Sequence, residues 1–191
     1  MNCGGGSPGS GLEQFRPYLM LLARLHWDKR LQGVLDPADL VQQTFVEAYQ
    51  KMDQFQGGTE RELAGWLRQS LVHNLLDALK KILGPRGTLP REAQLLDAVD
   101  GSSSRIEAWL AAEQSSPSEH VAKEEQTLRL AATLEQLPGP QREAVILHHL
   151  QGLSLADAAG RLGRTEASVA GLLRRGLKRL RELLGDESDA D

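Results

Sequence analysis

The apolar residues of this chain recur at spacings of three and four, and this helical period constrains the fold more than any other feature of the sequence. One such stripe would lie along a single helix face and comprises Leu63, Leu67, Leu71, Leu75, Ala78 and Ile82. Aromatic residues make up only 4% of the chain, and no run of aromatic or β-branched residues alternates as a half-buried strand would. We therefore expect an all-α fold whose cores consist mainly of Leu, Ala and Val.

Helix-start and helix-stop signals divide the chain further. Asp36 and Pro37 form a typical helix opening, while Thr59–Glu62 and Ser154–Asp157 have the composition of capping boxes. Pro17 offers an alternative start for the first helix. The predicted helices cover about 12–30, 37–56, 60–83, 117–136, 141–150, 155–162 and 166–184.

Composition indicates two small helical domains joined by a flexible linker. The linker is rich in Ser, Gly and acidic residues and lacks sustained periodicity, apart from one short helix expected at Ile106–Ala112. The expected divisions are a disordered N-terminus at 1–11, a first module at 12–84, the linker at 85–116, a second module at 117–185 and an acidic tail at 186–191.

The formal net charge is -4, but the basic residues are concentrated near the C-terminus. Residues 127–184 carry nine basic and five acidic groups. The single cysteine, Cys3, forms neither a disulfide framework nor a metal site, and no apolar stretch approaches the roughly 20 residues that span a bilayer. No signal segment opens the chain, so we expect a cytoplasmic protein without membrane insertion.

No catalytic constellation stands out. The sequence has no Ser/His/Asp set, no metal-ligand spacing and no nucleotide fingerprint. The adjacent His148 and His149 point to different sides of a helix and make a poor metal pair, so core or surface positions are expected for them. We expect no metal, no cofactor and no enzyme activity.

Residues 154–177 fit a helix-turn-helix, in which two helices are joined by a short turn that contains glycine. A short helix ends at Gly163, and a longer one follows Thr165. The cations on the longer helix are Arg174, Arg175, Lys178, Arg179 and Arg181. In a DNA reader this helix would meet base edges in the major groove, and its cations would neutralise phosphates. A helical hairpin with a solvated basic face is the alternative.

The same segment resembles the fourth-region motif of bacterial sigma factors. The matching residues are Gly152-Leu153-Ser154, Asp157, Ala159, Leu162-Gly163, Thr165, Ser168-Val169 and Lys178-Arg179-Leu180-Arg181. Upstream, Leu137-Pro138 and Gln141-Arg142-Glu143 resemble the opening phrase of that region. The resemblance implies that this module reads the minus-thirty-five promoter element.

The first module resembles the second region of the same family. Asp39–Phe45 is similar to the motif that grips RNA polymerase, and the helix that opens and reads the minus-ten element is matched by Phe55, Trp66-Leu67, Asn74, Asp77 and Lys80-Lys81. With both blocks in order, the chain is identified as a member of the extracytoplasmic-function sigma factors of the sigma-70 type. Residues 164–175 look most similar to a planctomycete-like branch.

The resemblance implies core RNA polymerase and promoter DNA as partners, with an anti-sigma factor as a further candidate. Polymerase would contact Asp39, Leu40, Gln42, Gln43 and Phe45. The minus-ten strand would contact a flexible polar loop and the next helix at Gln56, Gly57, Thr59, Arg61, Asn74, Asp77, Lys80 and Lys81. The minus-thirty-five element would contact Thr165, Glu166, Ser168, Ala170, Gly171, Arg174, Arg175, Lys178 and Arg179.

Some residues depart from the family pattern or allow more than one role. Ala170 and Gly171 replace a usual basic residue and a usual Ser, so the recognised promoter sequence is undetermined. Phe55 and Trp66 could stack on unpaired bases but fit a core role better. The competing functions are a one-component helix-turn-helix regulator with a sensing or dimerising first half, and a helical adaptor that binds no DNA.

Overall fold

The computed structural model describes residues 10–31, 33–84, 87–113 and 123–186. These residues contain helices and no strand, which confirms the all-α expectation. The chain divides into two compact units, one ending at Gly101 and the other beginning at Ser102. No helix within the described ranges is long and apolar enough to cross a membrane. The expectations for residues 1–9, for the cap at 116–119 and for the tail at 187–191 lie outside the described residues.

In chain order, the α-helices of the described ranges are α1 (Ser10–Glu13), α2 (Arg16–Leu25), α3 (Pro37–Gln50), α4 (Glu60–Leu83), α5 (Glu92–Glu113), α6 (Lys123–Glu135), α7 (Gly139–Val145), α8 (Leu155–Leu162) and α9 (Glu166–Asp186). A π-helix, Ile146–Leu150, continues directly from α7. Short 3₁₀ turns cover Lys29–Leu31 and Met52–Gln54.

The first unit is built on α2, α3 and α4, each of which packs on the other two. Its buried side chains include Leu19, Leu22, Val41, Phe45, Leu67, Leu71 and Leu75. The Asp36 carboxylate caps α3 by accepting a hydrogen bond from the Ala38 N–H at 2.7 Å. The predicted capping box of Thr59 and Glu62 is formed at the start of α4, and Gly84, with φ +64°, ends that helix.

The prediction of one continuous helix at 12–30 is wrong, because two separate helices lie in this range. α1 ends at Glu13, and α2 begins at Arg16 with Pro17 in its first turn, as the alternative start predicted. The physical reason is that proline has no N–H with which to continue a helical hydrogen-bond ladder. α2 itself ends at Leu25, before the 3₁₀ turn.

The linker at 85–116 was expected to be weakly structured apart from a short helix at Ile106–Ala112, whereas α5 covers Glu92–Glu113 and includes that short helix. Val99, Ser102 and Ile106 are all buried, and their spacing of three and four places them on one helix face. Within the first unit, Arg68 Nε lies 2.8 Å from Asp100 Oδ1. The Ser- and Gly-rich composition hid this face, since a small residue such as Ser102 was not counted as apolar.

The second unit is built around α9, which packs against α6, α7 and α8. Its buried side chains include Leu130, Leu134, Val145, Ala159, Val169, Leu173 and Leu180. Gly176 allows α9 and α7 to approach closely, because a Cβ added there would lie 3.1 Å from Val145 Cγ2.

The helix expected at 141–150 begins at Gly139 and changes to a π-helix after Val145. The Gln151 N–H donates to the Ile146 carbonyl at 2.9 Å, the five-residue step that defines this form. The side chains of His148 and His149 both contact other residues of the second unit. His148 Nδ1 lies 2.8 Å from the Leu153 carbonyl oxygen, and the His149 ring centroid lies 5.9 Å from that of Trp109.

Candidate nucleic-acid interface

The helix-turn-helix of α8 and α9 is fixed by local hydrogen bonds. The Ser154 hydroxyl accepts from the Asp157 N–H at 3.1 Å and caps α8. Gly163 ends α8 in the left-handed conformation, at φ 60° and ψ 36°. The Thr165 hydroxyl then accepts from the Ser168 N–H at 3.2 Å and caps α9. The sharp turn predicted from the sequence is therefore formed, and it leaves the first turns of α9 with a solvent-exposed face.

The two sides of α9 differ in chemistry. One side packs into the second unit through Val169, Leu172, Leu173, Gly176 and Leu180. The other side is exposed at Glu166, Ala170, Arg174, Arg175, Lys178, Arg179 and Arg181. Of the other two helix positions expected to contact DNA, Ser168 and Gly171 are half-buried, and the cap residue Thr165 is exposed. The structure thus brings the expected minus-thirty-five residues together on one basic face.

Gly171 has no side chain, so it leaves a small depression in this exposed face. The Arg175 guanidinium folds back along the helix, so that a Cβ built on Gly171 would lie 3.3 Å from Arg175 Nη1. Arg179 and Lys178 both approach Glu182, at 3.3 Å and 3.9 Å, in solvent-exposed ion pairs that hold these cations only weakly.

The exposed side of α3 carries Asp39, Gln42 and Gln43, as expected for the polymerase contact. Leu40 and Phe45, which were predicted to share this contact, are only 1% exposed and belong to the core between α3 and its neighbours. They alternate with the exposed positions because successive residues of a helix point to different sides.

Two exposed apolar side chains on the same helix, Val46 and Tyr49, were not predicted from the sequence. Val46 is 44% exposed and Tyr49 is 41% exposed. Positions 39, 42, 46 and 49 follow the helical period, and this spacing could have identified them. Arg16 borders the surface, since its guanidinium donates to Gln42 Oε1 at 3.1 Å and lies 4.8 Å from the centre of the Phe45 ring.

On α4, Asn74 was predicted to contact the minus-ten strand, but it does not lie on the surface of the first unit. Asn74 is buried, and its amide lies 3.2 Å from the Thr44 hydroxyl oxygen, so it joins α4 to α3 inside the core. Asp77, Lys80 and Lys81 lie outside that core. The Lys80 ammonium donates to the Asp77 carboxylate at 2.8 Å and, with His73 and Lys81, lowers the pKa of Asp77.

The polar loop expected to meet the minus-ten strand, Gln56–Arg61, follows the 3₁₀ turn after α3, and its last two residues, Glu60 and Arg61, are the first residues of α4. Phe55 and Trp66 flank it with their ring centroids 5.4 Å apart, and both are half-buried. The Thr59 hydroxyl both accepts from the Glu62 N–H and donates to the Glu62 carboxylate. Glu62, which the sequence analysis treated only as a capping residue, therefore organises the loop.

Two family models match the chain. Sigma-70 region 2 matches residues 13–82, and Sigma-70 region 4 matches residues 127–180. The ECF RNA polymerase sigma factor EcfG of Rhodopseudomonas palustris is 30% identical over 155 residues, which are 81% of this chain and 75% of that protein. CnrH of Cupriavidus metallidurans, an RNA polymerase sigma factor, is 27% identical over 81% of this chain and 76% of its own length.

The ECF RNA polymerase sigma factor SigE of Mycolicibacterium smegmatis is 30% identical over 87% of this chain, and the match spans 62% of the length of SigE. A solved structure of the sigma factor RpoE in complex with the anti-sigma factor NepR from Bartonella quintana aligns with 92% of this chain and 95% of that one. Its TM-score is 0.35 at 23% identity.

The class that the fold defines is an all-α protein of two helical units, the second of which contains a helix-turn-helix with a basic outer face. With both sigma-70 regions matched in order, the chain belongs to the extracytoplasmic-function RNA polymerase sigma factors of the sigma-70 family. The planctomycete-like branch suggested by residues 164–175 stays a prediction.

Proposed function

We propose that this chain directs core RNA polymerase to promoters and that its two units divide the work. The observation that carries the proposal is the exposed face of α9, where Arg174, Arg175, Lys178 and Arg179 lie opposite a fully packed apolar side. A helix held in this way can enter the major groove without disturbing its own core. The test is run-off transcription with core polymerase on promoters selected from a random library. Transcription that is the same without the chain would refute the proposal.

The polymerase contact is proposed for the outer side of α3. The polar residues Asp39, Gln42 and Gln43 continue into Val46 and Tyr49, and exposed aromatic and aliphatic groups beside polar ones are typical of protein interfaces. Replacing Asp39 by Arg together with Gln42 by Ala should weaken holoenzyme formation while helical circular dichroism is retained. Unchanged affinity for core polymerase would contradict this assignment.

The minus-ten contact is proposed for the loop Gln56–Arg61 and for the exposed cations Lys80 and Lys81 on α4. Strand capture needs groups that track a backbone and a site that receives an unstacked base. Crosslinks from these positions should form in open complexes, near the minus-ten element. Crosslinks confined to upstream duplex DNA would contradict the assignment.

The minus-thirty-five contact is proposed for the first three turns of α9. Arg174 can form a bidentate contact with guanine, whereas Lys178 and Arg179 are placed further along, where they would neutralise phosphates. Ala170 has no polar group and can meet only an apolar feature such as a thymine methyl.

In this proposal the chemistry belongs to the polymerase, and the chain contributes binding energy and no catalysis of its own. It would act in the cytoplasm, where it meets polymerase and DNA, and an anti-sigma factor remains a candidate regulator. A one-component regulator would bind its DNA without core polymerase, and a helical adaptor would tolerate loss of the α9 cations. Comparing DNA binding with and without core polymerase separates these alternatives.

A further inference from the structure

The loop Gln56–Arg61 is held in place by the carboxylate of Glu62. Glu62 Oε2 accepts hydrogen bonds from the Gly58 N–H at 2.9 Å, from the Thr59 N–H at 3.0 Å and from the Thr59 hydroxyl at 3.0 Å. Hydrogen bonds to the charged form, chiefly the one from the Gly58 backbone, lower the pKa of Glu62. The loop is therefore closed back onto the first turn of α4, and the backbone N–H groups of Gly58 and Thr59 are already satisfied.

An aromatic support lies beneath the same loop. A Cβ built on Gly57 would lie 2.4 Å from Phe55 Cζ and 2.9 Å from Glu62 Cβ, so only glycine fits at this position. The Phe55 ring packs on Trp66, so moving it aside would disrupt this ring contact. Gly58 is different, because a Cβ there would meet no atom within 4 Å among the described residues. An alanine substitution should therefore disturb the loop at Gly57 and leave it unchanged at Gly58, so the two variants form a matched pair.

The side chain of Gln56 is one of those that the loop presents to solvent. Gln56 is exposed, and its amide makes no hydrogen bond or ion pair with any residue that the structure describes. A primary amide offers donors and an acceptor side by side, which is the complement of the polar edge of an unpaired base. A loop that is already ordered loses little conformational entropy when it binds, so its contacts discriminate between bases more fully.

We propose that Phe55, Gly57 and Glu62 are positioning residues that hold Gln56 in the orientation in which it reads one flipped base. The inference rests on the proposed contact between this loop and the minus-ten strand. The positioning residues themselves need not touch DNA.

The experiment uses holoenzyme reconstituted with the full chain. Fluorescent single-stranded oligonucleotides are taken from the minus-ten element of a promoter that wild-type holoenzyme selects from a random library. Each position carries in turn the four bases or an abasic site. Wild type should prefer one base at one position by roughly tenfold, the size expected for a bidentate contact. Gln56→Ala, Gly57→Ala and Glu62→Ala should each reduce that ratio to about one, with unchanged affinity for the abasic oligonucleotide.

Two conservative variants act as controls. Gly58→Ala should keep most of the preference, since its methyl group meets open space. Glu62→Gln retains an oxygen that can accept from the loop amides and should keep part of it. Helical circular dichroism of each variant checks that the first unit is folded, and the two controls keep the inference testable if Glu62→Ala does not fold.

The outcomes separate this inference from the function on which it rests. If wild-type holoenzyme shows no base preference at any position, the proposed contact between loop and strand fails. If wild type discriminates and Gly57→Ala and Glu62→Ala discriminate equally well, the contact stands and the positioning role is refuted. A uniform loss of affinity that includes the abasic oligonucleotide would also refute it, because that result shows a structural role alone.

Discussion

The first unit and the second unit use their family motifs in different ways. In the first unit several motif residues serve the fold, since Leu40, Phe45 and Asn74 are buried and Thr59 is engaged in a cap. In the second unit the motif cations of α9 lie on the exposed side of a helix whose other side makes the core. A motif in a sequence therefore marks a site only after packing has decided which of its members reach the surface.

The largest effect should come from Phe45→Ala. Removing a fully buried Phe leaves a cavity, and we expect the free energy of unfolding to fall by about 3–5 kcal/mol. The measurement is urea denaturation followed by circular dichroism. Val46→Ala is the matched control, because Val46 is exposed and should change stability little while weakening binding to core polymerase. Equal stability losses for the two variants would break the comparison between core and surface positions.

Asn74→Ala should cause the next largest loss of free energy of unfolding. Its amide is buried against the Thr44 hydroxyl, and losing this hydrogen bond and leaving a small cavity should together cost about 1–3 kcal/mol. Thermal or urea unfolding should show this loss, whereas Lys81→Ala, on the exposed part of the same helix, should show almost none. A stable Asn74→Ala protein with a specific defect in strand binding would restore the role implied by the family motif.

Arg174→Ala should have an effect of similar size on DNA binding and little effect on folding. We expect a loss of about 1–3 kcal/mol in binding, with relaxed preference at one base pair. The measurement is a titration across single-base variants of a selected minus-thirty-five site, with the melting temperature as control. A loss that is equal at every base pair would show that Arg174 contacts phosphate and does not read sequence.

Lys178→Ala should weaken binding about equally on all promoters, because a phosphate contact carries no sequence information. The plot of log affinity against log salt should become shallower by roughly one unit. The ion pair of Lys178 with Glu182 at 3.9 Å is exposed and should not mask this effect. An unchanged slope would place Lys178 away from the DNA.

The smallest effect concerns pH and Asp77. The hydrogen bond from Lys80 lowers the pKa of Asp77 in the folded chain, so this carboxylate stabilises the fold above its ordinary unfolded pKa. The contribution is lost as the pH falls through the lowered folded value. Because the pair of Asp77 with Lys80 is exposed, we expect it to contribute about 0.2–1 kcal/mol to the free energy of unfolding at neutral pH. The measurement is the difference in this free energy between wild type and Asp77→Asn. A difference that persists in strong acid would contradict this.

Several local features could be predicted from the sequence because neighbouring residues determine them. Asp36, Thr59 and Ser154 cap their helices within three residues, and Gly163 adopts the left-handed conformation that a side chain disfavours. The part of α5 before the short helix expected at Ile106–Ala112 was missed, because its buried face contains Ser102, which carries no apolar signal in the sequence. The π-helix at Ile146–Leu150 was missed because its two buried residues, Ile146 and Leu150, are four apart, a spacing that also fits an α-helix.

The sequence by itself determined the helical class, the order of the two sigma regions and the basic composition of α9, since these depend on period, spacing and charge along the chain. Only the tertiary structure decided which members of each motif lie outside. Leu40 and Phe45 are adjacent to or near exposed residues in sequence, but the packing of α3 on α2 and α4 removes both from solvent. The same packing joins Asn74 to Thr44, and the contact of Phe55 with Trp66 supports the loop that presents Gln56. Whether a residue is buried depends on which elements pack against its helix, and the sequence of that one helix does not specify them.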